Sequence, residues 1–208
     1  MILAFDGASI DGSGYREVAD LAQRAPGWLD AAVTAWSAYG LAVFALLMVL
    51  GWWRARRAGA AAAVTALAVP VAAALAFVLD DVLKLIVRED RPCQSLGGRT
   101  LEACPAPGDW SFPSNHAAIA AAAAVALLFV SRRLGAVACG AAAAMAASRV
   151  WVGVHYPHDV LAGLLVGALV ALAAMLVVGR RSPALARRMT AVTPLRLLLT
   201  ASRTASVS

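Results

Sequence analysis

Apolar residues fill this chain in long blocks rather than in alternation. Five blocks stand out, at about Ala31–Trp52, Ala60–Val82, Ala117–Val130, Leu134–Val152 and Val160–Val178. A helix needs about 20 mostly apolar residues to cross a bilayer core. In lipid the backbone must satisfy its own hydrogen bonds, and runs rich in Ala and Leu do so as α-helices. The pattern therefore predicts an all-α, polytopic membrane helix bundle. Pro70 falls inside the second block and is expected to kink it.

Polar positions give the flanks. Gly14–Trp28 sets Val18, Leu21 and Ala22 among Arg16, Glu17, Asp20 and Arg24, the make-up of a helix lying in the membrane interface, with a flexible charged tail as the other reading. Beyond Arg180 the chain is basic, and Ala184–Leu199 is expected to form an amphipathic surface helix that frays into the terminal Ser and Thr residues. Met1 to Gly14 lack the basic start, apolar middle and cleavage site of a signal peptide, so the N-terminus reads as mature. Three parts follow: an interfacial segment 1–28, a transmembrane catalytic part 29–180 and a basic tail 181–208.

Composition agrees with the pattern. Of 208 residues 62% are hydrophobic, and the mean hydropathy is +0.75, too apolar for an ordinary soluble domain. The net charge of +6 would suggest nucleic acid only if the basic residues formed a patch on a soluble face. They are instead sorted by side. Five alternating spans put Arg54, Arg56, Arg57, Arg132, Arg133, Arg180, Arg181, Arg187, Arg188, Arg196 and Arg203 on one side with no acid. All 12 acidic residues fall on the other. The positive-inside rule makes the first side cytoplasmic, so the N-terminus and the segment 84–114 are expected to face outward. No nucleic-acid partner is expected. Cys93 and Cys104 lie in that outward segment, where they either close a small disulfide-bonded loop or remain two free thiols. Cys139, within a span, reads as a small packing residue.

Three polar clusters interrupt the apolar chain, and span parity brings all three to one membrane surface. They are Lys84-x6-Arg91-Pro92, Pro113-Ser114-Asn115-His116 and Ser148-Arg149-x5-His155-x3-Asp159. Charges at span ends are costly unless paired, solvated or functional. Three fixed cations beside two histidines therefore indicate an anion site, and phosphate is the anion they suit. Arg91 and Arg149 offer planar forks and Lys84 a point charge. Ser114, Asn115 and His116 open a helix, where free N–H groups and the dipole favour phosphate. His155 and Asp159 are four apart and share a helix face, so the carboxylate can hold one ring nitrogen and leave the other as a nucleophile. His116 is placed to protonate the leaving oxygen. Charge spread over the equatorial oxygens would be met by Lys84, Arg91 and Arg149.

These clusters, from Lys84 to Asp159, resemble the tripartite signature of the type 2 phosphatidic acid phosphatase superfamily, which includes lipid phosphatases, glucose-6-phosphatase and vanadium haloperoxidases. The resemblance implies His155 as nucleophile, Asp159 as its partner and His116 as general acid. It implies phosphoryl binding by Lys84, Arg91, Ser114 and Arg149, and it requires no metal or other cofactor. It also implies six spans where five are read, giving five to six with an N-terminal interfacial helix. Asn115 stands where Gly is commonest, which leaves the backbone donor and can alter substrate preference. Bacterial members of this kind, some conferring bacitracin tolerance, imply a polyprenyl diphosphate substrate such as undecaprenyl diphosphate, on the outer face of the cell membrane. Phosphatidic acid or phosphatidylglycerol phosphate is the alternative substrate, phosphotransfer the alternative reaction and a lipid-binding permease component the non-enzyme alternative. The sequence leaves the oligomeric state open.

Other polar residues read more plainly. Asp80 and Asp81 are candidates to pair with Lys84, Arg88 or the N-terminal segment, and Glu89 and Asp90 are loop charges. His158 falls outside the signature and reads as structural more than substrate-binding. Trp28, Trp52, Trp53, Trp110 and Trp151 suit interfacial belts. Gly163 and Gly167 form a small-xxx-small step for close helix packing.

Overall fold

A computed structural model describes residues 6–200. Among these the chain forms nine α-helices and no strand. They are α1 (Ala8–Arg24), α2 (Gly27–Tyr39), α3 (Leu41–Ala58), α4 (Ala60–Val87), α5 (Pro92–Ser95), α6 (Asn115–Val130), α7 (Arg132–Trp151), α8 (Pro157–Thr190) and α9 (Thr193–Leu199).

α6 is the axis of the bundle, packed against α4, α7 and α8. Its run of alanines is buried almost throughout, with Leu127. Small side chains there let the neighbouring backbones approach closely, which is what joins helices where lipid supplies no hydrophobic drive. Gly163 and Gly167 are the counterpart on α8. A Cβ at Gly163 would lie 3.1 Å from that of Ala117, and one at Gly167 would overlap the carbonyl of Ala118. The core continues through Phe44, Val69, Ala72, Ala76, Met145 and Met175. Outside it, Val71, Leu75, Val78 and Val82 on α4 and Leu161, Leu165, Leu169 and Leu176 on α8 are exposed. An exposed apolar belt of this extent is what a membrane protein offers to lipid.

α4, α7 and α8 are each long and apolar enough to cross a membrane. The first expected span is not one straight helix: α2 and α3 meet at Gly40 with a bend of 53° and make a fourth crossing only as a pair. At Gly40 the chain lies against Met145, where any Cβ would clash, while the Gly40 N–H keeps a helical bond to the Trp36 carbonyl at 2.7 Å. α6 has 16 residues, about 24 Å of rise, an apolar helix shorter than the three that can span and wrapped in protein. α4 continues through Pro70 as one helix.

Both flanks pack onto the rest of the chain. α1 covers most of the expected N-terminal helical segment. It docks on the bundle, with Tyr15 and Ala22 buried and the Tyr15 hydroxyl donating to the Gly153 carbonyl at 3.1 Å. The expected surface helix 184–199 is two elements: α8 runs on to Thr190, and α9 folds back so that Leu199 packs with Ala63, Val64 and Ala186. The fraying expected beyond it falls on 201–208, outside the described residues. Cys139 is exposed on α7 rather than packed, although its neighbour Ala138 is buried.

The helix ends sort the bundle into two poles. Arg54, Ala58, Ala62, Val130 and Ser131 line one cleft at the first pole. The ends of α4 and α7 and the beginnings of α6 and α8 form the other, and every signature residue is there.

Candidate active site

α4 stops at Arg88, whose φ of 50° is left-handed and whose N–H caps the Lys84 carbonyl. The chain then turns through Arg91 and Pro92 into α5. It loops back to α6, with Cys93 and Cys104 joined by a disulfide across Cα atoms 6.0 Å apart. α7 ends in a turn at Gly153, where φ is 88° and the space for a Cβ is taken by Thr100. A larger residue would be strained there. That turn delivers His155 to the centre of the pole.

His155 is 2% exposed. Its Nδ1 lies 3.3 Å from Asp159 Oδ2 and 3.4 Å from Ser111 Oγ, and its Nε2 lies 3.1 Å from Arg91 Nη1. A guanidinium can only donate, so Nε2 carries the lone pair and Nδ1 the proton, directed at Asp159. Burial above all, then the charges of Arg91, Lys84 and Arg149, hold this imidazole well below its ordinary 6.5. The ring is neutral and its free nitrogen faces the cations.

Asp159 is itself held. Its Oδ2 accepts from Ser111 Oγ at 2.5 Å and from the Tyr156 N–H at 2.8 Å, the latter closing a capping box at the start of α8.

The cations are pre-positioned by loop groups. Lys84 Nζ donates to the carbonyls of Trp110 and Ser111 at 2.6 and 3.3 Å. Arg91 donates to Asp109 through Nε and Nη2, each at 2.8 Å, and to the Val154 carbonyl at 3.0 Å. Partial burial pushes the Asp109 carboxyl up, but its bond to Arg91 outweighs this and holds it below the usual range. Arg149 pairs with Glu102 at 3.0 Å and bonds to Ser37 of α2.

Two donors near the site have no partner: Ser114 Oγ and Arg149 Nε are buried and unbonded. Ser114 is the N-cap of α6 without capping it, so its hydroxyl is left for something else. His116, in the first turn of α6, has among its charged neighbours Arg149, Glu102, Arg91 and Lys84. Asn115 behaves differently: its side-chain N–H goes to Asp81 at 2.8 Å, tying α6 to α4. Lys84, Arg91, Ser114, His116, Arg149, His155 and Asp159 therefore gather at one pole, and Asn115 lies beside them with its side chain turned to Asp81.

Several neighbours were not legible as site residues. Ser111, Glu102, Asp109 and Ser37 reach the site only through the path of the chain. Glu89, read as a loop charge, is fully buried and with His158 and Asp159 forms a group whose ligand atoms lie within 4.8 Å of one another. No such His and carboxylate grouping was visible in sequence, because Glu89 is remote from the other two along the chain. Burial pushes the Glu89 carboxyl above its ordinary range, with the bond to His158 pulling the other way.

The profile of the PAP2 superfamily matches residues 63–183. Undecaprenyl-diphosphatase BcrC of Bacillus subtilis is 30% identical over 146 residues, covering 68% of this chain and 71% of that one. An undecaprenyl-diphosphatase of Sulfolobus acidocaldarius is 40% identical over 97 residues, 45% of each chain, so the match spans just under half of that relative's length. The crystal structure of Aquifex aeolicus LpxE superposes with a TM-score of 0.63 over 80% of this chain and 94% of that one, at 24% identity. It shares the fold.

Proposed function

The chain belongs to the PAP2 superfamily of phosphatases, and on that footing we propose that it hydrolyses a polyprenyl diphosphate to the monophosphate through a phosphohistidine at His155. The observation that carries this reading is the pairing of His155: Nδ1–H on Asp159, and a lone pair on Nε2 facing Arg91. In the first step Nε2 attacks the terminal phosphorus, a P–N bond forms and the P–O bond to the lipid monophosphate breaks. His116 gives its proton to the leaving oxygen. In the second step His116 takes a proton from water, which attacks phosphorus, breaks the P–N bond and releases inorganic phosphate.

Arg91 Nη1 moves from Nε2 onto a phosphoryl oxygen as phosphorus arrives. Lys84 and Arg149 meet the other equatorial oxygens. The unbonded Ser114 Oγ and Arg149 Nε support this, since buried donors without partners are rare unless a ligand completes them. The N-terminus of α6 adds its free N–H groups.

A polyprenyl diphosphate is favoured by the two undecaprenyl-diphosphatases among the relatives. An outward-facing site in the cell membrane is favoured by the wholly basic character of the opposite pole. Phosphate release by the purified protein from undecaprenyl diphosphate, phosphatidic acid and phosphatidylglycerol phosphate tests the substrate. The highest kcat/KM is expected on the diphosphate; preference for either glycerophospholipid would overturn it.

A further inference from the structure

Behind Asp159, on the side away from His155, lies a cluster that the two-step reaction leaves unused. His158 Nδ1 is 2.7 Å from Asp11 Oδ1. Its Nε2 is 3.0 and 3.2 Å from the two carboxylate oxygens of Glu89 and 3.4 Å from Asp159 Oδ1. The His158 N–H donates to Asp11 Oδ2 at 2.7 Å, and the ring stacks with Phe112 and Tyr156. Three carboxylates thus converge on one ring from separate elements: Asp11 from α1, Glu89 from the turn after α4, and Asp159 from α8.

Both ring nitrogens face carboxylate oxygens, and only an imidazolium has an N–H on each. A neutral ring would set a lone pair against a buried carboxylate, a costly arrangement. Glu89 and Asp159 are both fully buried, and Asp159 Oδ1 accepts no hydrogen bond of its own. Asp11 is in place because α1 is kinked at that residue, with φ −141° and ψ 27°.

The cluster reaches the reacting groups by two routes. One is direct, because the oxygen of Asp159 opposite the cation is the one that faces His155. The other runs through Glu89, whose carbonyl takes the Ser111 N–H at 2.8 Å and which lies two residues before Arg91. Ser111 in turn bonds Asp159 Oδ2 and, by its carbonyl, Lys84.

We infer that His158 is a positioning residue of the phosphatase reaction, an imidazolium that holds Asp159 from behind and locks the Arg91 turn and α1 onto the His155–Asp159 pair. The inference rests on the reading of His155 as nucleophile. A divalent cation would suit the same three ligand atoms. The sharing of Nε2 by both Glu89 oxygens, as two acceptors share one N–H, favours the proton.

The test compares wild type, His158→Asn, Asp11→Asn and His155→Ala as full chains in detergent. It measures kcat, KM, the pH profile of kcat/KM and thermal unfolding on the panel substrate that the wild type turns over best. His158→Asn is expected to lower kcat about 10- to 100-fold with KM within about twofold. Without the cation Asp159 and His155 take up a proton more readily, so the acid limb moves up by about one pH unit. Asp11→Asn removes the outer partner and with it one negative charge while Glu89 still holds the ring, so it is expected to lower kcat by less and to move the acid limb down rather than up, and it carries the test if His158→Asn does not fold. Unchanged kcat in folded His158→Asn would overturn the inference, as would a loss of kcat with an unmoved acid limb in both variants. Wild-type activity lost to a chelator and restored by zinc or magnesium would overturn it in favour of a metal. Turnover retained by His155→Ala is a separate outcome that removes the nucleophile on which the inference stands.

Discussion

Ser111 Oγ donates to Asp159 Oδ2 at 2.5 Å, the same oxygen that faces His155 Nδ1 at 3.3 Å. The hydroxyl and the imidazole share one acceptor with the Tyr156 N–H, so the position of the carboxylate is fixed by three donors rather than left to the histidine alone. A partner behind a functional histidine sets both its tautomer and its orientation.

Ser111→Ala removes one of those donors and leaves Asp159 a single side-chain contact on that oxygen. The expected result is a fall in kcat of about 10-fold, equivalent to one lost hydrogen bond to a charged group, with little change in KM. Steady-state phosphate release measures both. A rise in KM at constant kcat would mean that Ser111 acts on substrate instead.

The depressed basicity of His155 fixes the sign of two pH effects. A neutral ring is the nucleophilic form, so kcat/KM holds as pH falls through 6.5, the ordinary value of a histidine, and a limb set by His155 lies lower. Stability moves in the same sense. Below 6.5 the unfolded chain binds a proton that the folded one refuses, so stability is level above that pH and is lost as pH falls toward the folded value. A pH–rate profile and thermal unfolding between about pH 5 and 8 read the two effects. An acid limb centred at 6.5 would contradict the first.

Gly167→Val sets a branched side chain against the backbone of Ala118. Neither helix can yield without opening the α6–α8 seam, so a loss of about 1–3 kcal/mol is expected, read as a lower midpoint of unfolding in detergent. Gly179→Val, at a glycine with nothing within 4 Å of its Cβ position, serves as the control and should stay close to wild type.

What could be read from sequence was what is local. The i,i+4 step from His155 to Asp159 needs one turn of helix, and the span ends bring Lys84, Ser114 and Arg149 to one level whatever the details of packing. The five apolar blocks are all helices because composition alone demands it in lipid. The bend between α2 and α3 was hidden because hydropathy is unchanged across it; Gly40 is the only sign, and a single glycine in such a run is ordinary. Glu102 and Asp109 could not be matched to Arg149 and Arg91, because a loop's path is set by contacts far along the chain. The same holds for Asp11 and His158, 147 residues apart, whose pairing depends on α1 folding back over the pole.

Glu102 lies inside the ring that the Cys93–Cys104 bond closes, and Glu102 is the carboxylate that keeps Arg149 in place. Closing a ring of this size removes about 3 kcal/mol of freedom from the unfolded chain. The charge arrangement around the site is thereby tied to a redox history. Matured in an oxidising compartment the chain carries a tethered counter-ion for Arg149, whereas the same sequence kept among reduced thiols would present that arginine to a loop free to wander.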